Sequence, residues 1–222
     1  MTESSKAMSL KVDIVSDVVC PWCIIGYKQL QKALVQMPDQ FDVSLAWHPF
    51  ELNPQMPAEG QNIAEHVAEK YGSTPGQSRA ARERLSALGE TLGFRFNYGE
   101  DSRIVNTFRA HQLLHWAGEQ GCQTELKLEL FESFFSRGED ISAAAVLVAA
   151  ADTVGLSRAE AVEVLDDHRY EQIVREEQSI WLEREVHAVP TFVFNDEYVV
   201  PGAQEAETFV RVLSKVQSRA AT

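Results

Sequence analysis

Cysteine is scarce in this chain, three residues in 222, so no framework of structural disulfides is expected to hold it together. No apolar run approaches the roughly 18 residues needed to cross a bilayer. The first ten residues, Met1 to Leu10, are polar and carry nothing like a signal-peptide core. These absences predict a cytoplasmic protein with no membrane partner. Cations are in deficit as well, 20 Lys and Arg against 33 Asp and Glu, for a formal net charge of −13. Nucleic acid and anionic lipid both require clustered Lys and Arg, so neither is an expected partner, and the acidity reads as a solubilising surface. Fixed-period repeats and low-complexity linkers are missing too. What remains, 45% hydrophobic residues, is enough for a substantial core.

The pattern along the chain falls into three stretches. Leu10, Val12 and Ile14 alternate with Lys11 and Asp13, which predicts a strand. Ile24, Tyr27, Leu30, Leu34 and Met37 recur at helical spacing before Pro38 ends the helix, and Phe41, Val43, Leu45 and Trp47 alternate again as a second strand. From about Pro54 to Tyr170 the signals are helical. Thr74-Pro75 reads as an N-cap followed by Pro in the first turn of a helix reaching about Leu92. Further helices are expected over Ile104–Glu119 and Leu126–Phe135, from Ser142 to near Gly155, and after a Ser157/Glu160 capping pattern. The last stretch predicts a helix from about Tyr170 to Glu185, then strand Thr191–Phe194, turn Asn195-Asp196, strand Tyr198–Val200, and a closing helix through Phe209, Val212, Leu213 and Val216. Strand-helix-strand, a crossover, then hairpin and helix is the order of a thioredoxin fold. The expectation is therefore an α/β thioredoxin fold with a large all-helical insertion in the crossover. Its discontinuous thioredoxin-like domain would take residues 9–54 and 171–218, and the inserted helical domain 55–170.

The chemistry concentrates at Cys20-Pro21-Trp22-Cys23, where the first strand turns into the first helix. Two cysteines at this spacing can close a disulfide while the first sulfur stays exposed at the helix start. There it meets unpaired backbone N–H groups and the positive end of the helix dipole, which favour a nucleophilic thiolate. Cys20 is thus the expected attacking thiol and Cys23, one turn further in, the resolving one. Pro21 fixes the turn, and Trp22 shields the disulfide from water. Zinc, the competing use of such a pair, needs four ligands, and no second pair with suitable spacing exists, so no metal is expected. Val189-Pro190-Thr191 stands just before a strand. In a thioredoxin fold Pro190 is expected to be cis and to lie against the cysteines, with the Val189 backbone offered to an extended peptide.

The stretch Ser16-Asp17-Val18-Val19-Cys20-Pro21-Trp22-Cys23-Ile24-Ile25-Gly26 resembles the active-site segment of the DsbA superfamily, in particular its FrnE-like branch. So do Trp47–Pro54, Asn106–His111, Val189–Phe194 and Gly202-Ala203-Gln204, which together span nearly the whole chain in the right order. The resemblance implies a thiol–disulfide oxidoreductase or isomerase that needs no cofactor. Its partners would be thiol or disulfide proteins and peptides, with glutathione or a thioredoxin system as candidates to reset the pair. The superfamily also holds hydroxychromene carboxylate isomerases and kappa-class glutathione transferases, which place a serine where this chain has Cys20 and hold glutathione. A glutathione-dependent isomerase or transferase acting on a small aromatic is therefore the second reading, and a non-catalytic peptide-binding module the third.

Weaker features surround this pair. The resemblance suggests Asn106 and His111 as cleft residues, with capping or packing as the plain alternative. His187 could approach the sulfurs through the Pro190 loop, where an imidazolium would favour a thiolate. Glu51 is a candidate proton acceptor for Cys23 if its strand points that way. His111, His115 and Glu119 share a helix face at four-residue spacing, read as a polar face and not as a metal site. Cys122 is expected to be unpaired and buried, and Asp17 to serve as a turn residue.

Overall fold

The first strand, β1, spans Met8–Ser16 in a computed structural model that describes residues 7–220; the start of the Met1–Leu10 segment lies outside the described residues. Alternation gives way along β1 to a run buried on both faces, from Val12 to Ser16, as expected of a central strand. It pairs in parallel with β2 (Phe41–Pro49), from Met8 opposite Phe41 to Ser16 opposite Pro49. On its other side it pairs antiparallel with β5 (Thr191–Phe194), Ile14 lying opposite Phe192. With β6 (Tyr198–Pro201) the sheet order is β2-β1-β5-β6. Two parallel neighbours need a crossover, and α1 (Pro21–Val35) supplies it.

Local sequence explains the ends of these elements. Pro21 occupies the first turn of α1, where a missing N–H costs nothing. Asn195 and Asp196 both take positive φ, 49° and 57°, the left-handed pair that a tight hairpin requires. The Asn195 side chain accepts the Lys11 N–H at 2.9 Å, and the Asp196 carboxylate the Lys11 ammonium at 2.7 Å, which ties the turn back to β1. The closing helix α9 (Ala206–Ala220) covers α1 and sets Phe209 against Phe192, ring centres 4.9 Å apart.

Between β2 and β5 lie α2 (Ile63–Tyr71), α3 (Pro75–Thr91), α4 (Phe108–Glu119), α5 (Gln123–Phe131), α6 (Ala144–Thr153), α7 (Arg158–Asp167) and α8 (Glu171–Glu183). The insertion is helical apart from a two-stranded ribbon, β3 (Gln61–Asn62) with β4 (Arg103–Ile104), which the sequence patterns did not anticipate. Ile104 is consequently strand. Helix α4 begins only at Phe108, because the Asn106 side chain accepts the Phe108 N–H at 3.0 Å and turns the chain there. The expected helix to Phe135 is α5 followed by a π-helical turn, Glu132–Ser136. Ser142 does not start a helix; Asp140 accepts both its N–H and its hydroxyl, and α6 begins at Ala144. Thr74 caps α3 as expected, and Gln77 closes the box by bonding back to Thr74.

Two apolar cores interlock at the cysteine motif. Cys20 and Cys23 belong to the core of the sheet, which Phe131 and Phe135 join from the insertion, while Val18 and Val19 belong to the helical core of α4 to α7. Within the sheet core α1 packs tightly at Gly26, where an added Cβ would stand 2.9 Å from Phe192 Cζ and 3.3 Å from Ala203 Cα. Gly26→Ala should therefore cost about 1–3 kcal/mol through overpacking, read as a lower urea midpoint with an unchanged slope.

Candidate active site

Cys20 is the N-cap of α1, extended at φ −93° and ψ 111°, and its side chain makes no cap bond. Its N–H reaches the Asp17 carbonyl at 3.2 Å, and the Cys23 N–H reaches the Cys20 carbonyl at 3.1 Å, so a tight turn presents both sulfurs on one side of the helix start. The Val189–Pro190 bond is cis, and the Cys20 S–H donates to the Val189 carbonyl at 3.7 Å. Only Trp22 stands out from the motif, 46% exposed. The expected exposure of Cys20 is corrected: the Val189 loop and the insertion leave it 3% exposed, and Cys23 is fully buried.

A cavity of about 330 Å³ opens at Cys20, Pro21, Trp22 and Val189. Its far wall is the hairpin of α2 and α3. Ile63, Val67 and Tyr71 follow one another at four-residue spacing along α2, a helix with no fully buried residue, because this stripe faces the cavity. Ser78, Arg82 and Leu85 do the same along α3, and Asn53, His66, Gln77 and Tyr98 add polar edges. Sequence reasoning missed this wall, although an apolar helical stripe with no core partner was its visible signal.

Under the motif lies a buried polar pair. The fully buried Asp17 carboxylate accepts the Leu52 N–H at 2.7 Å and the His111 Nε2–H at 3.3 Å; the same Nε2 stands 3.1 Å from the Phe50 carbonyl. Burial alone would raise the Asp17 carboxyl, yet the His111 bond and charge, the Leu52 N–H and the Lys127 charge hold it below the ordinary range. Asp17 is therefore more than a turn residue, and His111 sits beneath the cysteines and not among the residues lining the cavity.

The other candidates stand apart from the sulfurs. Asn106 lies just before the Thr107 N-cap of α4 and accepts the Phe108 N–H, and His187 is exposed and does not line the cavity. Glu51 accepts from Gln178 on α8 at 3.1 Å. His115 faces Glu177 at 3.0 Å and Glu119 at 3.8 Å, parted from the buried His111. Cys122 is half-buried at the start of α5. Among the described residues no cluster of three His, Cys, Asp or Glu could hold a metal ion.

One functional residue escaped the sequence altogether. Lys127 on α5 is 1% exposed, and its charge acts on Cys23, Asp17 and Cys20. Its signal was position: it lies one turn after Gln123 and one before Phe131, on the buried stripe of the helix. The two thiols respond in opposite senses. The bond to Cys23, followed by burial, drives the Cys20 thiol well up. Burial would raise Cys23 too, but the Cys20 S–H, the Lys127 charge, the Ser16 hydroxyl and a backbone bond at Asp17 bring it below the ordinary value.

Asp17 supplies a pH test. Because its folded pKa is depressed, its contribution is present above the unfolded value near about 3.9 and is lost as pH falls through the folded pKa. Asp17→Asn should cost about 3–5 kcal/mol near neutral pH by breaking a buried pair. The deficit against wild type should shrink in acid, measured by denaturation across pH.

A family model described as a DSBA-like thioredoxin domain matches residues 11–214. The structure is similar to that of a probable DsbA oxidoreductase from Streptomyces coelicolor, with a TM-score of 0.88 and 31% identity over 93% of this chain and 89% of that one. An uncharacterized protein of Bacillus subtilis, YwbO, is 26% identical over 96% of this chain and its own full length. The cytosolic disulfide reductase DsbM of Pseudomonas aeruginosa, solved with GSH, shares the fold with a TM-score of 0.63 and 14% identity, over 94% of this chain and 99% of that one.

Proposed function

The chain belongs to the DSBA-like thioredoxin domain family, and from that premise we propose that it is a thiol–disulfide oxidoreductase working through a Cys20–Cys23 dithiol–disulfide cycle. The observation that carries the reading is the Cys20 sulfur, backed by the buried Cys23, meeting the Val189 carbonyl at the mouth of one cavity. Cys20 attacks a substrate disulfide and forms a mixed disulfide. Cys23 then attacks Cys20, closing the internal disulfide and releasing the substrate as a reduced thiol. Two electrons pass from the pair to the substrate, so the cycle needs no metal or organic cofactor. Run backwards, the same steps oxidise a dithiol.

Substrate choice follows from the walls. A cavity of about 330 Å³ closed on one side by α2 and α3 suits a slender group, an extended peptide segment or a small thiol such as glutathione. The description of DsbM as a cytosolic reductase solved with GSH supports glutathione as a resetting partner and the cytoplasm as the compartment. The scarcity of cysteine supports that compartment too. The FrnE-like branch and the division into residues 9–54 with 171–218 and 55–170 belong to the same proposal. Because Cys20 stands where the isomerases and transferases of the superfamily carry serine, the dithiol reading ranks ahead of theirs.

Equilibration in graded glutathione buffers, followed by Trp fluorescence and thiol alkylation, tests the proposal. A single reversible two-electron transition is expected, near about −270 mV for a reductant or about −120 mV for an oxidant; no reversible transition would overturn the reading. Cys20→Ser should abolish turnover, and Cys23→Ser should accumulate the mixed disulfide, seen by mass.

A further inference from the structure

The helical wall across the cavity from Cys20 carries one permanent charge. Arg82 lines it from α3, half-buried, and its Nη1–H donates at 3.0 Å to the hydroxyl of Ser78, one turn earlier on the same helix. Ser78 is itself buried, so the guanidinium is held by one N–H while the others have no described partner. Among the described residues that line this cavity there is no Asp or Glu. Yet the chain has 33 acidic residues, and elsewhere Arg137, Arg158, Arg169 and Arg175 each hold a carboxylate at 3.0 Å or less.

The neighbours of Arg82 add hydrogen-bond donors but no second cation. Lys70 of α2 does not line the cavity, and its ammonium is taken by the Leu52 carbonyl at 2.7 Å and the Asn53 side-chain oxygen at 2.6 Å. The His66 Nδ1–H donates to the Gln61 side-chain oxygen at 2.7 Å, while burial and then the Lys70 charge hold the imidazole below its ordinary value and keep it neutral. The Gln77 side-chain carbonyl accepts the Thr74 N–H at 2.9 Å and hydroxyl at 3.0 Å, so what Gln77 has left to offer is its NH2. Tyr98 lies within reach of both ends of the site: burial and then the Cys20 charge raise its hydroxyl, and the Arg82 charge lowers it. Ile63, Val67, Leu85 and Phe135 make the rest of the lining apolar.

A guanidinium half withdrawn from water beside apolar side chains attracts an anion more strongly than one in solvent, and its planar fork matches a carboxylate. We propose that Arg82 is the specificity-determining residue of this site, and that the cavity takes small disulfides of thiol carboxylic acids. The reacting sulfur meets Cys20, the short methylene chain lies along the apolar wall, and the carboxylate is held by Arg82. The inference rests on the dithiol reading above and names its substrate class; glutathione, with two carboxylates, is one member. A cavity of about 330 Å³ has room for one such chain. As Cys20 attacks, its bond to one substrate sulfur forms, the substrate S–S bond breaks, and the first thiol leaves. Cys23 then attacks Cys20, the protein disulfide forms, and the second thiol leaves. Two electrons pass to the substrate, and the two protons of the pair end on the two released thiols.

The test is single-turnover oxidation of the reduced protein, followed by Trp fluorescence, with three disulfides as probes: dithiodipropionate (anionic), hydroxyethyl disulfide (neutral) and cystamine (cationic). Arg82→Gln should raise the half-saturating concentration of dithiodipropionate roughly tenfold and leave its limiting rate within about twofold. Hydroxyethyl disulfide should be unaffected and cystamine should gain. Arg82→Lys, which keeps the charge and loses the fork, should fall between wild type and Arg82→Gln. An unchanged value for dithiodipropionate, an equal rise for hydroxyethyl disulfide, or no saturation of wild type by dithiodipropionate would overturn the proposal. So would a loss seen with a peptide disulfide flanked by Glu and not with dithiodipropionate, which would assign Arg82 to peptide recognition. Should Arg82→Gln fail to fold, wild type decides: (methylthio)propionate, which has the carboxylate and no S–S bond, should compete with dithiodipropionate, and its amide should not. Equal competition by acid and amide would overturn the assignment. A protein that exchanges with none of the three probes defeats the dithiol reading and this inference with it, whereas one that exchanges with all three regardless of Arg82 defeats this inference alone.

Discussion

The structure depends on burying three ionisable groups, Asp17, Cys20 and Cys23, within about two turns of chain at the junction of two cores. Removing a carboxylate and a thiolate from water is expensive, and the neighbourhood is arranged to offset that cost. His111 and the Leu52 N–H satisfy Asp17, the Val189 carbonyl and Cys23 satisfy Cys20, and Lys127 stands behind Cys23. Apart from Cys23, each of these partners arrives on a different segment. The loop after β2, the start of α4, the Pro190 loop and α5 are thereby held in register with a single turn of α1, and the cavity takes its shape from the segments so held.

What the sequence made legible follows from periodicity and from turn chemistry. The strand through Leu10, Val12 and Ile14, the helix opened by Pro21 and the hairpin at Asn195-Asp196 are local patterns, and each stands in the structure where the pattern put it. The ribbon between Gln61–Asn62 and Arg103–Ile104 was invisible because two-residue strands carry no period. His111 was assigned by resemblance to the cleft and lies beneath it, since helical spacing fixes a face but not what that face meets. Lys127 was passed over for the same reason. A lysine in a leucine-rich helix reads as solvated, and only the packing of α5 on Trp47 turns it inward.

The acidity of the chain acquires a local meaning here. A surface with 33 acidic residues against 20 basic ones leaves few cations to spend inside. Even so, one is enclosed behind the sulfurs, and Arg82 lines the cavity in front of them. Positive charge therefore stands on the inner and the cavity side of the motif within an otherwise negative molecule.

Gln123, which packs α5 on Trp47, has a consequence for self-association. The β2 strand is an edge of the sheet, and an open edge offers its N–H and carbonyl groups to any other extended chain. By filling both groups of Trp47 with one side-chain amide, Gln123 imitates a neighbouring strand and closes that length of edge. The opposite edge, β6, is four residues long and ends in Pro201, which has no N–H to give. Each margin of the sheet thus carries its own obstacle to strand addition, a side-chain amide on β2 and a proline on β6.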